Sequence, residues 1–331
     1  MPDFVVCGAT SWGVTLAAVL SLNHDRVVLL TRSSAEAEIL RARRGIERLP
    51  EVSLNSRVKV VAEPPPPQAV QGVVFAVPAQ SLRAAASRFV GYQDITVLSA
   101  AKGIELSTGE RMSEVLAERW PIQRIACLSG PNLAHEVGRG LPAAAVVASA
   151  GPETAAAWQQ ALATPSFRVY TSSDVVGVEL GGALKNVVAI AAGAAVGLNL
   201  GANAVAAIVT RGLAEITRLG LALGADAATF SGLAGVGDLT VTCFSPLSRN
   251  HRLGELLAAG LTPDAALARI GEAVEGAATA GVAAELATRA GVELPIVREV
   301  AAVLAGKRGV AEAMALLLTR PLGPESQSAS Q

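Results

Sequence analysis

The stretch Phe4–Gly13, with the sequence FVVCGATSWG, decides the fold of this chain. Its first four residues form the short apolar run that is typical of a buried strand, and Ser11–Leu22 then has helical spacing. Gly8 permits a tight turn between strand and helix, and Gly13 lets the helix pack closely on the sheet. This order places backbone N–H groups at a helix start, where a pyrophosphate can bind.

Further short apolar runs follow, and helical segments separate them. The runs are Arg26–Leu30, Val58–Val61, Val73–Val77, Ile95–Leu98, Ile125–Leu128, Ala143–Ala148 and Phe167–Tyr170. Runs of this kind predict a mostly parallel sheet that is covered on both faces. We therefore predict an α/β fold in which residues 1–177 form an NAD(P)-binding Rossmann domain. A glycine turn that binds nothing is the alternative.

The pattern changes near Asp174, where segments rich in alanine, leucine and glycine begin. Apolar residues recur in these segments with helical spacing, and glycine or proline separates them. The predicted helices are Val178–Leu198, Ala202–Gly220, Ala225–Leu233, Arg249–Ala259, Pro263–Ile270, Thr279–Ala290, Pro295–Ala305 and Val310–Leu318. We predict an all-helical substrate domain over residues 178–322 and, from its polar composition, a disordered tail over 323–331.

The composition excludes several classes of partner. The 331 residues include 27 basic and 28 acidic side chains, and no basic stripe points to nucleic acid. Cys7, Cys127 and Cys243 match neither a metal-ligand spacing nor a disulfide framework. The chain opens without the basic segment and cleavage site of a signal peptide, so we expect a cytoplasmic protein without a metal.

The stretch Asn186–Thr210 contains no charged residue and could be mistaken for a membrane span. It carries three asparagines, however, and few of the bulky aliphatic residues that a spanning helix of about 20 residues needs. We expect a pair of buried core helices here and no transmembrane segment.

The end of the second predicted strand indicates which dinucleotide binds. An acid at this place would bind the ribose 2′-hydroxyl, but Thr31–Ser34 reads TRSS and the nearest acid is Glu36. A carboxylate would repel a 2′-phosphate, whereas Arg32 with Ser33 can bind one. The sequence therefore favours NADPH over NADH, with a solvated Arg32 as the alternative.

Carbonyl reduction needs a hydride donor, a group that protonates the developing alkoxide and, for a phosphorylated substrate, an anion site. Lys102 follows a predicted strand end, and Lys185 lies at the edge of an uncharged helical stretch. Asp238, in a glycine-rich turn, could pair with Lys185. Ser248–Arg252 places two guanidinium groups at a helix start, which predicts a phosphate site. The alternatives are a snorkelling lysine, an ordinary turn aspartate and a solvated helix start.

A series of motifs along the chain is typical of one enzyme family. They are GATSWG, AVPAQSLR, AKGIE, LSGPNLAHEV, GGALKNVVAIAAG, GANAVAAIVTRGLAE, LAGVGDLTVTC, SRN and AVEG. With these motifs the chain resembles the bacterial-type NAD(P)-dependent glycerol-3-phosphate dehydrogenases from near its start to about Pro321. The resemblance implies reversible reduction of dihydroxyacetone phosphate to sn-glycerol 3-phosphate with NADPH or NADH, which supplies glycerophospholipid synthesis. A homodimer is the assembly to consider.

The resemblance also implies residue roles. The implied catalytic residues are Lys185, which transfers the proton, Lys102 and Asp238. The implied substrate-binding residues are Lys102, Gly130, Asn132, Lys185, Asp238, Ser248, Arg249 and Asn250. The predicted cofactor-binding residues are Gly8, Ser11, Trp12, Gly13, Arg32, Lys102, Ala134, Arg249, Ala273 and Glu275.

Five positions depart from the family pattern. Thr10 replaces the middle glycine of the turn and is expected to push the cofactor outward or to shift the loop. Asn132 stands where serine or threonine is usual, and His251 replaces an arginine. Val196 and Val205 replace an aspartate and an arginine. None of these changes removes a predicted catalytic residue, so we expect an active enzyme.

Two other functions fit the same two-domain plan. A reductase of a 2-keto or 3-keto acid would bind a carboxylate instead of a phosphate, and the Ser248–Arg252 segment argues against it. A cofactor-binding sensor without catalytic activity is supported only by the departures at Thr10, Val196 and Val205.

Overall fold

One eight-stranded sheet organises the N-terminal half of the computed structural model, which describes residues 3–319. The strands are β1 (Asp3–Cys7), β2 (Val27–Leu30), β3 (Val58–Val61), β4 (Val70–Phe75), β5 (Thr96–Ser99), β6 (Ile125–Ser129), β7 (Ala143–Ser149) and β8 (Phe167–Ser172). Their order is β3-β2-β1-β4-β5-β6-β7-β8, and all neighbours are parallel except β6 and β7. The predicted mostly parallel sheet is confirmed.

The strand order reverses at β1, because β2 pairs with one of its edges and β4 with the other. Cys7, at the end of β1, lies opposite Leu30 on one side and Phe75 on the other. In open parallel sheets, ligands bind beyond the carboxyl ends of the strands at such a point. The Gly8–Gly13 turn follows β1 directly and therefore lies at this crevice.

Helices cover both faces of the sheet. They are α1 (Ser11–Asn23), α2 (Ser34–Arg43), α3 (Leu82–Ala86), α4 (Met112–Ala117), α5 (Ala134–Gly138) and α6 (Pro152–Leu162). Side chains alternate between the two faces, so Val6 packs into one core and Val5 and Phe75 pack into the other. Every residue of β1 and β2 is buried, as expected of inner strands between two helical layers.

An all-helical part follows β8. Its helices are α7 (Val175–Gly197), α8 (Gly201–Ala222), α9 (Ala227–Phe230), α10 (Asp238–Phe244), α11 (Arg249–Ala258), α12 (Pro263–Ile270), α13 (Glu275–Arg289), α14 (Pro295–Leu304) and α15 (Val310–Leu318). Helix α7 is the centre of this part and packs against α8, α10, α11 and α13. The predicted helical half is confirmed, and the predicted tail over 323–331 lies outside the described residues.

Two segments have the length and composition of a membrane span, Val175–Gly197 and Ala227–Phe244. The most apolar window of the first is 83% buried inside the protein, which is typical of a core helix. The second is not a continuous helix, because the backbone at Gly235 leaves the helical conformation (φ −97°, ψ −105°). Of the expected pair of buried core helices, α7 is buried over most of its length, whereas α8 is buried along one side only.

Several element ends differ from the prediction. β4 runs over Val70–Phe75 instead of Val73–Val77, because its pairing with β1 and β5 sets its ends. Helix α7 begins at Val175 instead of Val178, since Asp174 caps it by accepting the Gly177 N–H at 2.8 Å. The spacing of apolar residues indicates neither strand pairing nor helix capping, so it could not give these ends.

Candidate active site

Three charged side chains meet where the carboxyl ends of β5 and β6 face helices α7 and α10. Nζ of Lys185 lies 2.5 Å from Oδ1 of Asp238, and Nζ of Lys102 lies 2.7 Å from Oδ2 of the same carboxylate. Lys185 and Asp238 are only 6% and 1% exposed. Two ammonium groups on one carboxylate leave a net positive charge, which suits an anionic substrate or a developing oxyanion.

Each member of this charged cluster comes from a different element. Lys102 follows β5, Lys185 lies in the middle of α7, and Asp238 is the first residue of α10. Lys185 lies inside the helix and is not the snorkelling lysine at a helix end that was the alternative. The predicted placement of Asp238 inside a turn is wrong. The early start of α7 moves Lys185 inward, and the irregular turn Leu233–Gly237 ends just before Asp238.

Hydroxyl and backbone groups complete the surroundings of the charges. Lys185 donates to Oγ1 of Thr242 at 2.6 Å, and the Thr242 hydroxyl donates to the Asp238 carbonyl at 2.7 Å. The Ser129 hydroxyl and the Gly130 N–H donate to Oδ2 of Asp238 at 3.3 and 3.4 Å. The carboxylate is therefore held by four donors, so little reorganisation is needed when charge develops nearby.

Burial shifts the proton equilibria of the cluster. It lowers the pKa of Lys185 to about 8, against the opposing charge of Asp238 and with a smaller contribution from Lys102. Burial alone would raise the pKa of Asp238, but the two lysine charges outweigh it and hold that pKa below its usual value. Asp238 therefore stays ionised at neutral pH, whereas Lys185 can exchange a proton near neutral pH.

The predicted substrate loop lies after β6. Lys102 donates to the Gly130 carbonyl at 3.0 Å, and the side-chain amide of Asn132 donates to the Ala144 carbonyl at 2.9 Å. Gly130 has a φ of +138°, and a Cβ there would lie 2.9 Å from the Ala144 oxygen, so the loop requires glycine. The Asn132 Oδ1 is buried and has no hydrogen-bond partner within residues 3–319.

The start of α11, predicted as the phosphate site, lies beside the charged cluster. Ser248 caps the helix by accepting the His251 N–H at 3.3 Å. Asn250 donates to Oδ1 of Asn186 at 2.9 Å and accepts the Gly276 N–H at 2.9 Å. Because Asn186 directly follows the buried lysine of α7, these contacts fix the start of α11 relative to the charged cluster.

Only part of the predicted phosphate segment is exposed. Arg249 forms an ion pair with Glu272 at 3.4 Å, and its side chain is 44% exposed. His251 is buried, and its carbonyl packs so closely on α7 that a Cβ at Gly193 would lie 1.9 Å from the carbonyl oxygen. His251 therefore belongs to helix packing. Arg249 and Asn250 stay predicted anion-binding residues, and Arg252, the second guanidinium group of the predicted segment, is exposed.

The turn after β1 packs tightly and opens α1. Gly8 has a φ of +115°, and a Cβ there would lie 2.7 Å from the Ala76 carbonyl oxygen. The Thr10 hydroxyl points into the protein, where it donates to that oxygen at 2.7 Å and accepts the Gly13 N–H at 3.0 Å. The first turn of α1 carries no acidic side chain, so its N-terminus suits a pyrophosphate. Thr10 thus caps α1, and its expected effect on the cofactor stays a prediction.

The other predicted cofactor residues on this side surround α1. Ser11 begins the helix, and Trp12 packs edge-on against Phe167 with 6.4 Å between ring centroids. Ala134 begins α5, and its carbonyl accepts the Thr15 hydroxyl at 3.2 Å. Ser11 and Trp12 thus lie in the first turn of α1, and Ala134 lies at the start of α5, which packs against α1.

The predicted cofactor residues Ala273 and Glu275 lie just before and at the start of α13. Oε1 of Glu275 accepts the Ala79 N–H at 3.2 Å. Burial raises the pKa of Glu275, although the Ala79 N–H and the charge of Arg249 oppose that shift. Ala273 is exposed in the connection before α13. The helix begins at Glu275 instead of at the predicted Thr279, which brings this carboxyl group against the sheet domain.

Three polar residues of the site escaped the sequence-based prediction of site residues. Thr242 and Ser129 contact the charged cluster, and Asn186 contacts Asn250 and the Lys102 carbonyl, the latter at 3.4 Å. Thr242 lies one helical turn after Asp238, and Asn186 directly follows Lys185. Their closeness in sequence to predicted catalytic residues could have identified both. Ser129 offered no such signal.

No group of three or more His, Cys, Asp or Glu side chains within residues 3–319 could hold a metal ion. All three cysteines are buried free thiols. Burial raises the pKa of Cys7 and of Cys243 to about 12, so both are protonated and unreactive at neutral pH.

Comparison with known families agrees with this geometry. A model of the NAD-dependent glycerol-3-phosphate dehydrogenase N-terminus matches residues 3–155, and a model of the C-terminus matches residues 174–315. The chain belongs to the NAD-dependent glycerol-3-phosphate dehydrogenase family. The family predicted from the motifs is thus confirmed, and with it membership of an NAD(P)-dependent oxidoreductase family.

Relatives in this glycerol-3-phosphate dehydrogenase family match nearly the whole length of the chain. Glycerol-3-phosphate dehydrogenase (NAD(P)+) of Moorella thermoacetica is 45% identical over 332 residues, which cover 98% of each chain. The enzyme of the same name from Corynebacterium glutamicum is 45% identical over 329 residues, 97% of this chain and 98% of the relative. The crystal structure of glycerol-3-phosphate dehydrogenase from Coxiella burnetii superposes with a TM-score of 0.89 at 32% identity, over 96% and 99% of the chains.

Proposed function

We propose that this protein reduces dihydroxyacetone phosphate to sn-glycerol 3-phosphate with a nicotinamide dinucleotide, reversibly, and so supplies glycerophospholipid synthesis. The observation that carries the proposal is the buried Lys102–Asp238–Lys185 cluster, whose Lys102 follows β5 at the carboxyl ends of the parallel strands. Family membership supports the same reaction.

Lys185 is the proposed proton donor. When bound, the nicotinamide supplies a hydride to the ketone carbon, and the carbonyl oxygen then needs a proton. Lys185 is buried and its pKa is close to neutral, so it can protonate that oxygen and recover a proton from solvent. Asp238 orients the ammonium group at 2.5 Å, and Lys102 stabilises the negative charge that develops on the oxygen.

The phosphate of the substrate is proposed to bind at the start of α11. Arg249 supplies a guanidinium group there, and Asn250 supplies an amide next to it. Ser248 caps the helix whose N-terminus faces the anion. Gly130 and Asn132 are proposed to contact the rest of the substrate. The buried Oδ1 of Asn132 has no partner within residues 3–319 and can accept a hydrogen bond from a substrate hydroxyl.

The dinucleotide is proposed to lie across the carboxyl ends of β1 and β2. Gly8 and Gly13 let the turn pack closely on itself and on Ala76, so that the N-terminus of α1 can point at the pyrophosphate. The other proposed contacts are Ser11, Trp12, Arg32, Lys102, Ala134, Arg249, Ala273 and Glu275. NADPH is the proposed preferred cofactor, because Arg32 is exposed where a 2′-phosphate would lie.

Arg32→Asp is expected to shift the cofactor preference from NADPH towards NADH by about tenfold or more. The change removes a guanidinium group from the 2′-phosphate and adds a carboxylate that repels it. The measurement is kcat/KM for each dinucleotide with the native protein and the variant. Arg119→Asp, at an exposed arginine between α4 and β6, controls for the change of charge. An unmoved preference ratio in Arg32→Asp would contradict the role of Arg32.

The pH dependence of turnover should follow the pKa of Lys185. In the reduction direction Lys185 must be protonated, so kcat/KM is expected to fall about tenfold per pH unit above a pH of about 8. Oxidation of glycerol 3-phosphate needs the neutral amine and should rise through the same pH. Lys185→Arg should lose both inflections, because a guanidinium group does not titrate in this range. Profiles that keep the inflections in Lys185→Arg would assign them to another group.

The sequence also left a keto-acid reductase and a catalytically inactive sensor as alternatives. A keto-acid reductase would turn over an unphosphorylated keto acid, and inorganic phosphate would not compete with its substrate. A sensor would bind NADPH without turning over any ketone. Turnover of dihydroxyacetone phosphate would exclude the sensor, and competition by inorganic phosphate separates the two reductases. We expect that competition because the half-exposed Arg249 guanidinium group can bind a phosphate.

The organisation of the molecule follows the same proposal. We propose that the dinucleotide domain covers residues 1–177 and the helical substrate domain residues 178–322, with the site between them. Three buried free thiols suit the reducing environment of the cytoplasm. A homodimer is proposed as the assembly, and its test is the mass of the native protein in solution.

A further inference from the structure

The end of β2 carries an ion pair at the place proposed for the adenosine ribose. Nε of Arg32 lies 3.5 Å from Oε2 of Glu36, and the backbone N–H of Arg32 donates to the same oxygen at 3.1 Å. The Arg32 side chain is 88% exposed and that of Glu36 is 28% exposed. A carboxylate therefore lies beside the guanidinium group that is proposed to bind a 2′-phosphate, on the side of its Nε.

Local folding fixes Glu36 in this position. Ser33 caps α2 and accepts the Glu36 N–H at 3.3 Å, which makes Glu36 the third residue of the helix. A glutamate at the third helical position reaches back towards N–H groups that precede the helix. The hydroxyl of Thr31, a fully buried residue, donates to the Ser33 carbonyl at 2.8 Å and fixes the backbone between β2 and α2.

We infer, on the basis of the dinucleotide site proposed above, that Glu36 sets the ratio of NADPH to NADH binding by competing with the 2′-phosphate for Arg32. The Glu36 carboxylate can accept the ribose 2′-hydroxyl of NADH, as an acid at this strand end does. A 2′-phosphate has the same sign of charge and must displace Glu36 before it can bind the guanidinium group. The opposed preferences of Arg32 and Glu36 let one site accept both dinucleotides.

Glu36→Gln tests this role, because glutamine removes the charge and keeps the oxygen that accepts the N–H. The probes are adenosine 2′,5′-bisphosphate and adenosine 5′-monophosphate, which differ only in the 2′-phosphate, titrated into the full-length protein by calorimetry. Affinity for the bisphosphate is expected to rise about fivefold, the effect of removing one nearby like charge at a surface. Affinity for the monophosphate should not rise. NADPH and NADH, titrated by their own fluorescence, should show the same contrast.

Glu38→Gln is the matched control. It removes the same charge from the same helix, but residues two apart on a helix do not face each other, so both affinities should stay within about twofold. An unchanged affinity ratio in Glu36→Gln overturns the role of Glu36 even when both nucleotides bind. If the native protein binds neither nucleotide, the proposed dinucleotide site is wrong, and the role of Glu36 with it.

Discussion

Replacing Lys185 with alanine is expected to lower turnover of dihydroxyacetone phosphate by about a hundredfold or more, in line with the loss of a general acid. Binding of NADPH should change little, since Lys185 contacts Asp238 and Thr242 and lies away from the turn after β1. The measurements are steady-state turnover and, separately, a fluorescence titration of NADPH.

Two further variants separate proton transfer from packing. Lys185→Met keeps the apolar length of the side chain and should be as inactive as the alanine variant. Lys307→Ala removes an exposed lysine of the helical part and should leave turnover within about twofold. Near-native turnover of Lys185→Met would remove Lys185 from the mechanism.

Replacing Asp238 with asparagine is expected to lower the free energy of unfolding by about 3 kcal/mol or more. The change leaves two ammonium groups without a compensating charge in a site where Asp238 is almost fully buried. It should also lower the pKa of Lys185 further, because the Asp238 charge opposes the effect of burial. Denaturant unfolding near neutral pH measures the first effect, and the pH profile of turnover measures the second.

Asp94→Asn is the control for this change. Asp94 lies 4.0 Å from Arg124, but its side chain is 98% exposed, and such pairs contribute less than about 1 kcal/mol. Equal unfolding free energies for native protein and Asp238→Asn would mean that Asp238 does not compensate the lysine charges.

The free energy of unfolding should also change with pH. The folded-state pKa of Lys185 lies below its ordinary value of 10.5, so stability should rise between pH 8 and 10.5.

The sheet could be predicted from the sequence because its strands are buried on both faces. Each strand is then a short apolar run, and Gly8 and Gly13 mark the turn that opens the first helix. The strand order needed the structure, since no local pattern records that β1 pairs with both β2 and β4. The ends of β4 and α7 were misplaced for the same reason, because pairing and capping set them.

The candidate site could be predicted in part. Lys185 and Asp238 were paired in the prediction because a buried lysine needs a compensating charge. The predicted place of Asp238 inside a turn was wrong, and α7 begins earlier than predicted, since the irregular turn at Gly235 and the Asp174 cap leave only weak traces in the sequence. The contact between Glu36 and Arg32 could not be predicted from the sequence, because it depends on the helical geometry of α2, which brings Glu36 back to Arg32.

In the proposed reaction the nicotinamide dinucleotide would supply the hydride that reduces dihydroxyacetone phosphate, and the buried lysine cluster supplies the proton and stabilises the negative charge. The most direct test follows the absorbance of NADPH, and separately of NADH, with dihydroxyacetone phosphate as substrate. We predict rapid oxidation that depends on the substrate, is faster with NADPH and is competed by inorganic phosphate. No oxidation of either dinucleotide by a folded protein that still binds both would contradict the proposed reaction.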